Sequence, residues 1–266
     1  MSWYNQGFDG IKEEEKRQAA AYGPGRFKVP VGERREMVFI DDEPAQLYEH
    51  NPKMNGNWQT FITCLKDVDD PCPVCETLGE KTRYYVGIFT VVDTSKWKDK
   101  KGNDHQYEIN FCAAKFGSMK KLRRKKEDAV TDGKAFVGAL YRASRDTDKE
   151  PAIGSEFEYV RAVDMDRLFE VALYRGKPLK DLYAKAEADP EAMERLKDVF
   201  QLVVENGKIQ RKIFPFNYFK LLHPKPRKEL VSLMRGTGSS SDDDDDRSTG
   251  GNGGKASGFS DEEIPF

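Results

Sequence analysis

Long apolar runs are missing from this chain. No stretch approaches the roughly 18 apolar residues of a membrane-spanning helix. The opening MSWYNQGFDGIKEEEKRQAA lacks the apolar segment of a secretory signal. The expectation is a cytoplasmic protein with no membrane partner. Histidine is scarce: His50, His105 and His223 are all there is. No paired-carboxylate motif stands out among the strand-like segments. A metal-dependent nuclease needs an open metal site or a carboxylate cluster, so an enzyme is not expected. Four cysteines occur, Cys64, Cys72, Cys75 and Cys112. In a reducing compartment such thiols are free, metal-bound or catalytic rather than disulfide-paired. No internal repeat at a fixed period is present, which leaves a repeat architecture without support.

A length of 266 residues fits one large domain or two small ones. The net charge of −2 hides two unlike parts. Residues 237–266 hold eight acidic and two basic residues, net −6, and the preceding 236 hold 42 basic and 38 acidic, net +4. A mildly basic body with an acidic tail is the asymmetry of a tail that competes with an anionic ligand for one surface. A solubilising tail has the same composition.

Residues 1–24 read as an arm, because KEEEKRQAAAY favours helix and Gly23-Pro24-Gly25 stops it. A core over 25–235 follows. RFKVPV, EMVFID, NWQTFITCL, YYVGIFTVVDT, HQYEINFCAAK, KAFVGALYRAS and SEFEYVRAV are rich in aromatic and β-branched residues and read as strands. One helix, about 117–128, interrupts them. A small mainly-β Greek-key barrel or sandwich is expected. From about 166 to 235 the apolar spacing turns helical in LKDLYAKAEA and EAMERLKDVFQLVVE, and a last helix is expected before 235. Residues 236–266 are low-complexity and expected to be disordered.

The segment TCLKDVDDPCPVC carries the sharpest chemistry. In Cys72-Pro73-Val74-Cys75 two thiolates sit close enough to share one tetrahedral ion. Cys64 supplies a third ligand and His50 the best fourth, with Cys112 as the other candidate. One structural zinc ion is expected, held by a subdomain over about 48–80. A redox pair is the rival reading of Cys72 and Cys75, but that motif opens a helix in a βαβ unit, and no such unit is visible.

The densest basic run is KFGSMKKLRRKKED, with Lys115, Lys120, Lys121, Arg123, Arg124, Lys125 and Lys126. Seven cations within twelve residues make a broad positive surface suited to phosphates; a solvated helix face is the plainer reading. Strand aromatics flank it: Trp58, Phe61, Tyr84, Tyr85, Phe89, Trp97, Tyr107 and Phe111. Residues two apart share a strand face, so Tyr85 faces with Phe89 and not with Tyr84. Rings that point outward can stack bases without sequence preference.

The last residues, Asp261, Glu262, Glu263, Ile264, Pro265 and Phe266, resemble the acidic tip of bacterial single-stranded DNA-binding proteins. The resemblance implies docking onto replication and recombination proteins. His50, Cys64, Cys72 and Cys75 resemble, in order and spacing, the zinc site of the T-even phage helix-destabilising proteins. That family implies an OB-fold core with a zinc-bearing insertion and a basic cleft lined by aromatics. It also implies an acidic tail, self-association on DNA, and a role in DNA replication, recombination and repair in the host cytoplasm. The family's arm is basic, whereas here Lys12, Lys16 and Arg17 face Asp9 and Glu13, Glu14 and Glu15. An RNA-binding or transcription-regulating zinc protein is the alternative.

Overall fold

The computed structural model describes residues 24–54, 57–58, 61–68, 71–98, 102 and 104–235. The expected arm up to residue 23 and the expected tail from 236 lie outside the described residues. Strands β1 (Glu33–Phe39), β2 (Ala45–His50), β3 (Lys53–Met54), β4 (Asn57–Trp58) and β5 (Ile62–Thr63) come first. Helix α1 (Pro73–Leu78) precedes β6 (Arg83–Asp93), β7 (Trp97–Lys98), β8 (Asp104–His105) and β9 (Glu108–Lys115). Helix α2 (Phe116–Thr131) leads to β10 (Ala139–Arg145) and β11 (Glu156–Ala162). The remainder is α3 (Met165–Val171), β12 (Leu173–Tyr174), β13 (Lys177–Pro178), α4 (Leu179–Ala188), α5 (Pro190–Val199), β14 (Val204–Glu205), β15 (Lys208–Ile209), α6 (Tyr218–Leu221) and α7 (Arg227–Arg235).

A nine-stranded sheet runs in the order β11-β10-β1-β6-β9-β12-β13, with β2 paired to β5 and β6. Within it β10, β1, β6 and β9 are neighbours and all antiparallel. This is Greek-key order, in which the fourth strand returns beside the first. The center of the sheet is β6. Its sequence VGIFTVVD is apolar on both faces, and every residue from Val86 to Asp93 is buried. On one face Phe89 and Val91 meet Phe39, Tyr141 and Leu122 of α2. On the other, Val86, Ile88 and Val92 meet Leu179, Tyr183, Phe200 and Phe216 from the C-terminal part. Each large apolar side chain buried this way contributes about 1.5–3 kcal/mol.

Helix α2 crosses the sheet where β6 has no side chain. A Cβ on Gly87 would lie 2.3 Å from Met119 Sδ and 3.1 Å from Pro44 Cβ. Two C-terminal helices start at aspartate caps. Asp164 accepts from the N–H groups of Asp166 and Arg167, and Asp189 accepts from Glu191 ahead of Pro190 at the first helical position.

Several sequence expectations are refined. RFKVPV is not a strand: Arg26 makes one parallel bridge to Phe111, Val29 N–H turns to Ala152 O at 2.7 Å, and Pro30 has no N–H to donate. Among its described residues NWQTFITCL gives the two-residue strands β4 and β5, followed by a 3₁₀ turn at Leu65–Val68. HQYEINFCAAK is cut into β8 and β9 at Tyr107, whose φ of 59° is left-handed. The helix expected over 117–128 runs Phe116–Thr131, and EAMERLKDVFQLVVE stays helical only to Val199. Phe200 turns extended and is buried against Phe216, ring centroids 5.2 Å apart.

A polar latch joins the large sheet to the C-terminal layer. The Thr90 N–H donates to both oxygens of Asp41, at 3.1 and 3.0 Å, and the Tyr218 hydroxyl donates to Asp41. The Phe216 N–H donates to Thr90 Oγ1 at 2.9 Å. Burial pushes the Asp41 carboxyl up from 3.8 to about 6, against the hydrogen bonds from Tyr218 and Thr90, which pull it down. The folded chain therefore holds the Asp41 proton more tightly than the unfolded chain. That stabilisation is complete below pH 3.8 and is lost as pH rises through 6. In urea unfolding across pH 4–7, Asp41→Asn should lack this dependence, and the wild type should lose up to about 3 kcal/mol relative to the variant.

Candidate metal centre

The Cys72-Pro73-Val74-Cys75 knuckle opens α1, with Pro73 at its first position. Three backbone devices close the turn: Glu76 N–H donates to Cys72 O at 3.0 Å, Gly79 N–H to Cys75 O at 2.9 Å, and Gly79 takes a φ of 83°. Cys64 comes from the end of β5, where its N–H donates to Tyr48 O at 2.8 Å. His50 ends β2 and pairs in register with Ile62 of β5. Thus two antiparallel strands deliver the first two groups, and one helical turn delivers the other two.

The four ligand atoms lie within 4.8 Å of one another. Cys72 Sγ and Cys75 Sγ are each 3.5 Å from His50 Nε2, and Cys64 Sγ is 3.7 Å from Cys75 Sγ. A tetrahedral ion with metal–sulfur bonds of about 2.3 Å and a metal–nitrogen bond of about 2.0 Å needs edges of roughly 3.5–3.8 Å. Three of the six edges of the cluster have that length, and none exceeds 4.8 Å. His50, Cys64 and Cys72 are buried, and Cys75 is partly exposed. His50 Nδ1 faces Thr82, whose hydroxyl lies 3.4 Å away and donates to Gly79 O at 2.8 Å. With its proton committed there, the hydroxyl receives Nδ1–H, which leaves the Nε2 lone pair directed at the thiols.

The electrostatics suit a cation. Burial pushes the Cys64 thiol up to about 12, and burial also raises Cys75. Burial works on Cys72 in the same sense, but N–H groups of Cys75, Leu65 and Val74 hold its thiol below the ordinary value. Burial lowers His50, so the imidazole is neutral, as a ligand must be. Cys112 is fully buried in the inner core, opposite Phe89 in the β6–β9 ladder, and takes no part in the cluster. Among the described residues no other set of three or more His, Cys, Asp or Glu comes together in this way.

The basic run lies on α2. Lys120, Lys121, Arg123 and Arg124 are exposed. Several of these cations serve the chain itself. Lys121 Nζ donates to Ser155 O at 2.7 Å and to Glu156 at 3.0 Å, Lys126 pairs with Asp42 and Glu43, and Arg123 with Glu127. Lys120 lies 4.5 Å from the centroid of the exposed Phe116 ring. Lys115 lies 4.9 Å from that of Tyr84, which is itself exposed.

The aromatics divide. Tyr84 is turned outward and Tyr85 is partly buried between Tyr48 and Phe116, at 5.0 and 6.4 Å. Phe89 is in the core, 5.3 Å from Phe39, and presents no ring to solvent because its strand face is covered by Phe39, Phe136 and Leu122 of α2. Trp97 stacks on His105 at 4.3 Å with Arg35 4.7 Å from its ring, so its own neighbours use the surface a base would need. Tyr107 packs on the outer core. The ring of Trp58 and the residues Asp261 to Phe266 lie outside the described residues.

Three features escaped sequence reasoning. Arg26 forks onto Glu49 at 2.9 and 2.6 Å with its guanidinium 3.4 Å from the Phe61 ring. Asp93 and Glu108 are direct cross-strand partners, both buried, though fifteen positions apart in sequence. Asp93 is engaged by Arg35 and Ser95, and Glu108 by Gly176 N–H and His105, so both serve the fold. Phe219 is 77% exposed, the largest value for a big apolar side chain among the described residues. Its only sequence signal is its place beside Tyr218, which is turned inward. No helix among the described residues is long and apolar enough to cross a membrane. Comparison of the chain with known protein families, with curated proteins and with solved structures gives no match.

Two outcomes follow from the ligand set. The chain should take up one equivalent of zinc, and Cys75→Ser should lose it, lowering the thermal midpoint by roughly 5 °C or more, while Cys112→Ser should retain it. Since Cys64 and Cys75 hold their protons when metal-free, zinc affinity should rise from pH 6 to pH 8, read by competition with a chromophoric chelator.

Proposed function

We propose that this chain is a single-stranded DNA-binding protein that coats and protects DNA during replication, recombination and repair. Its core is an OB-type barrel with one structural zinc ion. The observation that carries the reading is where the metal knuckle and the basic helix fall in the strand order. Taking β1 with β2 as the first strand, the sheet runs fifth, fourth, first, second, third. The knuckle occupies the connection between first and second strands, and α2 that between third and fourth. In OB barrels the face of strands two and three and the first-to-second loop bind oligonucleotides. Here that face ends in Tyr84 of β6 and Lys115 of β9, and Arg26, against the Phe61 ring, pairs with Glu49, the cross-strand partner of Tyr84.

Binding would combine phosphate pairing by Lys115, Lys120 and Arg124 with base stacking on exposed rings, without sequence preference. Four protein ligands fill the metal's coordination sphere and leave no place for a catalytic water, which suits a binding protein better than a hydrolase. The acidic residues Asp242 to Asp246 and Asp261 to Glu263 would occupy the basic surface when DNA is absent. DNA would then release Ile264, Pro265 and Phe266 to replication and recombination partners.

Titration with oligo-dT at several salt concentrations tests this. Affinity should fall with a log–log slope of roughly −2 to −4, as expected for three to five phosphates. Replacing both Lys120 and Arg124 by Ala should flatten that slope by about 1.4. Removing residues 237–266 should tighten binding, most at low salt. Absence of oligo-dT binding, or a preference for RNA of equal length, would overturn the reading.

A further inference from the structure

The segment 217–227 runs from the barrel to the metal knuckle and is pinned at both ends. At its start the Tyr218 hydroxyl is held by Asp41 and lies 2.8 Å from Thr90 Oγ1, and Asn217 Nδ2 donates to Lys197 O at 2.8 Å. In its middle the Thr63 hydroxyl donates to Leu222 O at 2.7 Å, one residue before the ligand Cys64. At its end Arg227 reaches back to the knuckle, with Nη2 2.9 Å from Glu76 Oε2 and a second hydrogen bond to Pro71 O. Helix α7 then lays Leu230 and Met234 into a small core made of Ile62, Cys64, Leu65, Cys72 and Val74. The apolar partners of α7 in that core therefore include two of the metal's own cysteines.

Between these pins the chain shows its apolar and basic side chains to solvent. Tyr218, Leu221 and Leu222 face the sheet, and Phe219 points away at 77% exposure. His223 lies 5.8 Å from the Phe219 ring, and Lys220 and Lys225 are exposed nearby. Lys220 is 3.6 Å from Asp198 and Lys225 pairs with Glu229, in both cases between half-exposed groups. Thr90, beneath the start of the strap, shares its strand face with Tyr84. An exposed phenyl among cationic groups, on the face that ends in Tyr84 and Lys115, has the makings of a stacking platform.

We infer that residues 217–227 form a strap that presents Phe219 to an unpaired base, and that the metal knuckle, through Leu230, Met234 and Arg227, holds the strap in place. This inference rests on the single-stranded DNA reading above. Phe219 is the binding residue; Arg227, Leu230 and Met234 are positioning residues that act through it.

The test uses the zinc-loaded full chain and oligo-dT. Phe219→Ala should weaken binding roughly 5- to 150-fold, the range of one base–aromatic stack, with zinc content and thermal midpoint unchanged. Phe219→Trp should bind like the wild type and add an indole emission that oligo-dT quenches. Leu230→Ala should weaken binding in the wild-type background and add less than about twofold in the Phe219→Ala background, because a residue that acts through Phe219 has nothing left to position. Leu230 is fully buried, so Arg227→Ala, whose contacts are exposed, provides the milder version of the same cycle. Unchanged affinity in Phe219→Ala overturns the platform. Additive losses, or no loss on loosening α7, overturn the positioning role. A wild-type chain that does not bind oligo-dT overturns the DNA reading itself, an outcome distinct from the other two.

Discussion

The architecture depends on burying β6 on both sides. Its run from Val86 to Asp93 offers no polar face to water, so a single layer cannot satisfy it. Helix α2, laid across the sheet at Gly87, covers the face that carries Phe89 and Val91 together with Phe39, Phe136 and Tyr141. The opposite face, with Val86, Ile88 and Val92, needs a second wall. The helical residues from 166 onward supply it through Leu179, Tyr183, Phe200 and Phe216. These helices share one core with the strands of the large sheet. The polar groups of the seam are used in joining the layers, through Asp41, Thr90 and Tyr218.

The segment between β2 and β6 poses the reverse problem. Among the described residues it contributes few buried large apolar side chains, chiefly Ile62, Leu65 and Val74, and too small a core folds poorly unless something else ties it. Four groups that converge on one point could supply that tie by holding an ion, and metal binding would then count directly toward folding. Because the thiols also form the floor on which Leu230 and Met234 rest, the last helix is tied to the same point.

What could be read from the sequence follows from how local its cause is. The quartet of His50, Cys64, Cys72 and Cys75 was legible because metal ligation restricts both residue type and spacing, and the structure brings these four together. The helix over LKDLYAKAEA was legible because its apolar spacing is intrinsic to the segment. Strand alternation correctly separates Tyr84 from Tyr85 and pairs Tyr85 with Phe89. Which of the two faces meets solvent is decided elsewhere, by where α2 and the C-terminal layer pack. Phe89 therefore lies inside while Tyr84 lies outside, and Trp97 is covered by His105 and Arg35. The carboxylates Asp93 and Glu108 meet only through the ladder register, and Phe219 is defined by the inward turn of Tyr218. None of these leaves a local pattern.

Charge counting shows the same limit. Seven cations between Lys115 and Lys126 suggest a strong, undirected positive field. Once folded, Lys121 anchors α2 to β11, Lys126 ties it to the turn after β1, and Arg123 is shared with Glu127. These contacts spend part of the field on holding the helix down. Lys120 and Lys115 lie close to the rings of Phe116 and Tyr84. A cation beside an exposed ring offers a phosphate and a base adjacent places to bind, which an isolated lysine does not. On the single-stranded DNA reading, the capacity of this surface is therefore set by a few ring–cation pairs and by the covering of the sheet that leaves them uncovered, and less by the number of basic residues in the helix.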